Sequence, residues 1–321
     1  MQIYKKIFGF SRLAMIFLAV CSISLNIFLV TVPCKAQDES TLYVGGTGAG
    51  NYTNIQDAID NSLDNDTIYI HSGTYNESIV VNKSVGLIGS NMRDVFINGN
   101  SSLYVVLIRS SRVNISGFTI QNGAVGIFVS GLEYSFNNFS DNILIDNREG
   151  IRLVSSSSNK ITNNTIQNHS NFGIGFYESS CNLISGNHLV DNEKAICFNR
   201  WSDNNVIWKN NFTENYFSIT LDFSFNSLIS ENWITNGSYG VYLTNSNNNN
   251  VTDNNIEYND MYGIYMSDSD NNVISPNFFL NNYEDVKRNS NPPKITMPGF
   301  EFLLFVCATF FVIFVRKKIL Q

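Results

Sequence analysis

Between Val113 and Arg288 the sequence repeats every 22 to 24 residues, and no other feature restricts its fold so tightly. One apolar column runs Ile115, Phe139, Ile161, Ile184, Ile207, Ile229, Val251, Ile274. A second follows five residues behind it, from Ile120 and Leu144 to Ile256 and Phe279. A third runs from Ile127 and Ile151 to Ile264 and Val286. Each unit thus holds three short apolar pieces separated by Asn, Gly and Ser. None keeps the i, i+3, i+4 spacing of a helix face. β-Branched and aromatic residues suit strands, and Asn, Gly and Ser suit corners. Three strands per repeat, each returning in register one coil later, describe an all-β chain wound as a single-stranded parallel β-helix, a solenoid. The Leu-x-x-Leu-x-Leu frame of leucine-rich repeats is missing, and a propeller blade needs about 40 residues.

Two Asn columns follow the same period. Three residues past the anchor stand Asn142, Asn164, Asn187, Asn210, Asn232, Asn254 and Asn277, with Phe118 in the first repeat. Two residues before it stand Asn137, Asn159, Asn182, Asn205, Asn249 and Asn272, with Ser227 as the exception. Stacked coils bring equivalent side chains to about 4.8 Å, where one amide can donate to the next as a ladder. Asn also tolerates the left-handed backbone of a tight corner. These Asn residues read as structure rather than as a metal or sugar site.

The repeats occupy 112–288. Residues 37–111 read as a cap and the first coils: a strand at Leu42–Val44, a glycine-rich turn at 45–50, and a short helix from Asn54 through Leu63. Ile55, Ala58, Ile59 and Leu63 share one face of that helix, which would cover the open end of the stack. The glycine run lacks the Lys-Ser/Thr ending of a phosphate loop. About ten coils, roughly 50 Å of solenoid, are expected.

The two ends differ in kind. Residues 1–36 read as a signal peptide: Lys5, Lys6 and Arg12, an apolar run from Leu13 to Val32, then Cys34-Lys-Ala36 for cleavage; the run is also long enough to span a membrane as an uncleaved anchor. Residues 289–297, with Pro292-Pro293, read as a linker. Residues 298–321 hold a short apolar run, Phe302 to Val315, closed by Arg316-Lys-Lys318, and read as a sorting signal or membrane anchor. Both ends place the body outside the cell.

The repeat pattern, with the words Ile55-Gln-Asp-Ala-Ile-Asp60 and Gly73-Thr-Tyr75, resembles the pectin-lyase-like superfamily of right-handed parallel β-helices. The closer resemblance is to NosD-type repeats of archaeal surface proteins. Pro298-Gly-Phe300 ahead of an apolar run and a basic end resembles the archaeal PGF carboxy-terminal sorting signal, which implies tail removal and lipid attachment. The superfamily contains lyases, hydrolases and inactive scaffolds, so the resemblance implies a fold more than an activity.

Setting both ends aside leaves 13 basic against 26 acidic residues, a body near −13. That disfavours nucleic acid as a partner. Five Cys residues include no CxxC, which gives zinc no support, and Cys181 and Cys197 stand at non-equivalent places in adjacent coils. The NosD resemblance implies copper, which would need clustered His, Cys or Met. His71, His169 and His188 lie far apart, and each reads as a surface residue. Asn-x-Ser/Thr sequons, at Asn163, Asn211, Asn236 and Asn250 among others, make an exported chain a glycoprotein candidate.

The outward positions of the third strand carry the candidate chemistry. Alternation places Ile174, Phe176, Val241, Leu243, Ile264 and Met266 inward. Arg152, Tyr177, Trp201, Tyr242 and Tyr265 then form a candidate ligand-binding set, because exposed rings stack on sugars. For catalysis the candidates are Lys194 or Arg200 as base, with Asp203 and Asp222 as carboxylates; a carboxylate cluster would add calcium as cofactor. No acid motif of the pectate lyase or polygalacturonase type is found. The expected function is therefore a cell-surface β-helix that binds glycans or envelope partners without catalysis. The alternative is a polysaccharide lyase or glycoside hydrolase.

Overall fold

The computed structural model describes residues 39–289. The expected signal peptide, all but the first residue of the expected linker, and the apolar tail lie outside the described residues. Among the described residues no helix is long and apolar enough to cross a membrane.

The chain winds as a right-handed parallel β-helix of about eleven turns, one more than the repeat count suggests. The first strands of the coils build a ten-stranded sheet, from Thr41–Val44, Thr67–Ile70 and Gly86–Gly89 to Asn250–Thr252. Second strands run from Gly73–Tyr75 to Phe278–Leu280, and third strands from Ile79–Val81 to Glu284–Asn289. Every pairing is parallel, and each apolar column meets itself one coil on. Ile161 pairs Ile184 and Ile184 pairs Ile207. Leu144 pairs Ile166, and Ile151 pairs Ile174. All of these side chains are fully buried in one continuous core. Each contributes roughly 1.5–3 kcal/mol by leaving water.

The corners are held by amide ladders. Asn164 Nδ2 donates to Asn187 Oδ1 at 3.0 Å, and Asn187 Nδ2 to Asn210 Oδ1 at 2.9 Å. The same amide also donates to Ile161 O at 2.8 Å, and its oxygen accepts the Asn164 backbone N–H at 2.9 Å. Phe118 ends this ladder, its N–H donating to Asn142 Oδ1. The left-handed residue is not the ladder Asn but its predecessor: Asp141, Asn163, Gly186, Lys209, Glu231 and Asp253 all have positive φ. The ladder Asn therefore stays for its side chain, not for its backbone.

Two further ladders escaped the sequence reading. Asn147, Asn192, Asn215, Asn259 and Asn282 mark the corner between second and third strands. Ser156, Ser179 and Ser202 mark the corner after the third, the Ser179 and Ser202 hydroxyls accepting the backbone N–H groups of Ser156 and Ser179. His169 occupies an Asn slot of the first of these. It is 2% exposed, not a surface residue. Its Nδ1 donates to Asn147 O at 2.9 Å, which leaves Nε2 bare and unpartnered. Burial pulls its pKa down to about 4, against weaker help from two carbonyls and Asp146.

The capping helix spans Ile55–Asn61, with Ile55, Ala58 and Ile59 buried. Two expectations need correction. Leu63 lies beyond the helix and is 56% exposed. Asn54 supplies no cap; instead Glu77 of the next coil accepts the N–H groups of Ile55 and Gln56 at 2.8 and 3.1 Å. A carboxylate at the positive end of a helix dipole serves the same need.

Candidate functional site

The third strands begin with a break in alternation. In each pairing one small residue is skipped: Gly150, Gly173, Ala195, Ser218, Gly240 or Gly263. A Cβ on Gly240 would stand 2.4 Å from Gly263 O, so the coils approach too closely there for a side chain. The kink leaves the preceding residue buried in the first two of these coils, as Glu149 and Phe172, and half-buried at the surface in the later ones, as Lys194, Phe217, Tyr239 and Tyr262. Strict alternation from Val241 would turn Tyr239 inward; the kink places it beside the outward Tyr242.

The result is an aromatic face built from three adjacent coils. Phe217, Tyr239 and Tyr262 form one row in register, and Tyr242 and Tyr265 the next. Phe217 and Tyr239 stack at 4.6 Å, as do Tyr242 and Tyr265. Tyr239 meets Tyr242 edge-on at 5.4 Å. Burial among the rings raises the pKa of Tyr239 and of Tyr242, with their neighbours' charge adding to it. Only Tyr242 and Tyr265 of this face were singled out from sequence. The signal for the rest was the repeated Tyr239-Gly-Val-Tyr242 and Tyr262-Gly-Ile-Tyr265.

The other candidates are placed elsewhere. Tyr177 begins three coils earlier and lies in the row of Asn199 and Asp222. Arg152 sits over the Tyr177 ring at 5.3 Å and pairs with buried Glu149 at 3.3 Å. Trp201 is 60% exposed at the corner after the third strand. Tyr177, Tyr242 and Tyr265 are half-buried, and the last two spend ring area on each other. The five candidates are thus not one site: Arg152 with Tyr177 makes one patch, Tyr242 with Tyr265 another.

The candidate acid–base groups also divide. Lys194 opens its strand while Asp222 pairs with that strand's last residue, Asn199. At about 3.3 Å per residue they stand roughly 16 Å apart. Arg200, Asp203 and Asp222 gather at the far corner. There Asp222 accepts from Thr244 at 3.0 Å and Asp203 from the Phe225 N–H at 2.7 Å. Burial raises the pKa of Asp203.

Next to the aromatic face lies a cleft of about 240 Å³. Asp191, Glu193, Glu214, Asp260 and Tyr216 line it, and so does Gly237, which takes an Asn slot in the corner ladder. Tyr216 is 49% exposed and meets Phe217 at 4.8 Å and Tyr239 at 5.9 Å, so cleft and aromatic face are continuous.

The donors that copper would need do not converge. His71 packs with Tyr43 and Tyr69 on the first sheet, His169 is interior, and His188 is exposed on a second strand. Cys181 and Cys197 are free thiols, one exposed and one buried. Among the described residues no three His, Cys, Asp or Glu side chains lie close enough to share a metal ion, calcium included.

Solved structures share the fold at low identity. An alginate lyase from Paenibacillus sp. str. FPU-7 is 14% identical with a TM-score of 0.56, covering 79% of this chain and 99% of that one. DFA-IIIase from Arthrobacter chlorophenolicus A6, without its lid, is 11% identical at 0.60, covering 80% and 92%. A pectate lyase is 15% identical at 0.55, covering 80% and 79%. No curated protein sequence matches the chain. The family model described as periplasmic copper-binding protein (NosD) matches residues 36–220 and 216–296, and the chain belongs to that family.

Proposed function

We propose that this chain is an exported, surface-displayed β-helix that binds glycan chains through the face formed by Phe217, Tyr239, Tyr242, Tyr262 and Tyr265, without catalysing their cleavage. The observation that carries the reading is that face itself. Five rings from three successive coils are held at the surface of a rigid solenoid, where they order little on binding. Aromatic side chains bury large areas and present both apolar faces and polar edges, which suits pyranose rings. The family description, periplasmic, is in keeping with export, and several proteins of the same fold are named for action on polysaccharides. Copper chemistry has no place in the reading, because the donors do not meet.

A glycan array on the purified full chain, followed by chromatography of each bound glycan after long incubation, tests the proposal. Binding with the glycan recovered intact is the expected result. Shortened or unsaturated products would establish the enzymatic alternative, with Arg200, Asp203 and Asp222 the first residues to replace.

A further inference from the structure

We propose that the cleft beside Gly237 is a sugar subsite at the rim of the aromatic face, and that it takes an amino sugar with a free ammonium group while excluding uronate chains. This rests on the glycan-binding reading above and names its substrate class.

The cleft exists where a ladder fails. Asn192 donates to Asn215 at 2.9 Å, and Asn259 to Asn282 at 2.8 Å. Between them Gly237 has no amide to offer, so Asn215 donates only to Leu189 O and Thr213 O. Nor does a side chain fit easily, since a Cβ on Gly237 would stand 2.4 Å from Asn215 O. The gap has the size of one sugar unit, and is below the roughly 300–1,000 Å³ of pockets for larger ligands.

Its walls decide the sign of the ligand. Asp191, Glu193, Glu214 and Asp260 line it, and no Lys or Arg does. None of the four is in an ion pair among the described residues. No three of them lie close enough to share a metal ion. A uronate would bring a fifth negative charge into this field. An ammonium on a sugar ring would instead meet charge-assisted hydrogen bonds, with the ring against Tyr216. From Tyr216 the path leads directly to Phe217 and Tyr239.

The experiment is calorimetry on the full chain, made in a host without N-glycosylation so that the Asn236-Gly-Ser238 sequon stays bare. Three probes are compared: glucosamine oligomers, N-acetylglucosamine oligomers and oligogalacturonate. Glucosamine oligomers should bind about tenfold tighter than the acetylated ones, and oligogalacturonate should not bind. Glu193→Gln with Glu214→Gln, both exposed, should reduce that preference by weakening the glucosamine oligomers more than the acetylated ones. Asp141→Asn with Asp253→Asn, exposed but outside the cleft, should change nothing. Equal loss in both pairs would assign the preference to overall charge and overturn the subsite. So would equal affinity for the two hexosamines, or preferred binding of oligogalacturonate. If acetylated oligomers bind and depend on Tyr242 and Tyr265 but the glutamate pair is silent, the subsite alone falls. If none of the three binds, the aromatic-face reading falls with it.

Discussion

The rings of Tyr242 and Tyr265 lie 4.6 Å apart with their planes 6° from parallel, while Tyr239 meets both edge-on. The spacing is that of adjacent parallel strands, so the register of the sheet imposes the stack. Each ring covers part of its neighbour, which is why both are half-buried though they point outward. A sugar therefore meets the stack's edges and free face rather than two isolated platforms.

Tyr242→Ala with Tyr265→Ala should accordingly cost some stability as well as binding. An aromatic pair contributes about 0.5–1.5 kcal/mol beyond its area. A loss of a few degrees in thermal midpoint is expected, together with about a tenfold or larger loss of glycan affinity. Unfolding by more than twice that amount with affinity intact would make these rings structural and move the site elsewhere.

Asn187→Ala should be among the most damaging single changes in the solenoid. It strands the Asn164 N–H and takes a donor from Ile161 O, both in the dry interior, while the Asn210 amide oxygen keeps the backbone N–H of residue 187. Each unpartnered buried group costs about 1–3 kcal/mol. A loss of about 2 kcal/mol or more by chemical denaturation is expected. Asn163→Ala, one residue before the ladder's Asn164 but exposed, should cost far less. Similar losses in the two would refute the ladder's role.

Acid sensitivity should centre on His169. Its folded pKa, about 4, lies below the ordinary 6.5, because burial disfavours the charged ring. The unfolded chain takes up the proton first. Stability is therefore complete above pH 6.5 and declines as pH falls toward 4, by about 3 kcal/mol in all. His169→Asn would restore the ladder amide between Asn147 and Asn192 and remove this decline. Thermal midpoints at pH 7 and pH 4.5 check it; an equally steep decline in the variant would exonerate the histidine.

The three apolar columns and two Asn columns were legible because each repeats at a fixed spacing, and stacking turns spacing directly into contact. The buried state of His169 was not, because His169 and Gly237 interrupt its ladder of Asn147, Asn192, Asn215, Asn259 and Asn282. The outward placement of Tyr239 and Tyr262 is hidden for a different reason. Alternation is a rule for regular strands, and close approach of Gly240 to Gly263 O breaks it just before Val241. The cleft was invisible for a third: it is made by what Gly237 lacks, and by acidic residues from several coils that no linear window brings together.

Removing one whole coil should leave a shorter solenoid that still folds. Leu183 pairs with Val206, and Ile184 with Ile207. Deleting residues Ile184 to Val206 therefore joins Leu183 to Ile207 with every later residue in its original register. Each coil contacts mainly its two neighbours, so the loss is one layer of core and one rung of each ladder. The new junction places Asn164 beneath Asn210 and Ile166 beneath Phe212, both matched to their present column types. The aromatic face is untouched, but the cleft loses Asp191, Asn192 and Glu193. A folded product with the far-ultraviolet spectrum of β-structure, a cooperative melt and retained binding of neutral glycans is expected. A collapsed or helical product would show that coils are not interchangeable here and that the stack depends on long-range order.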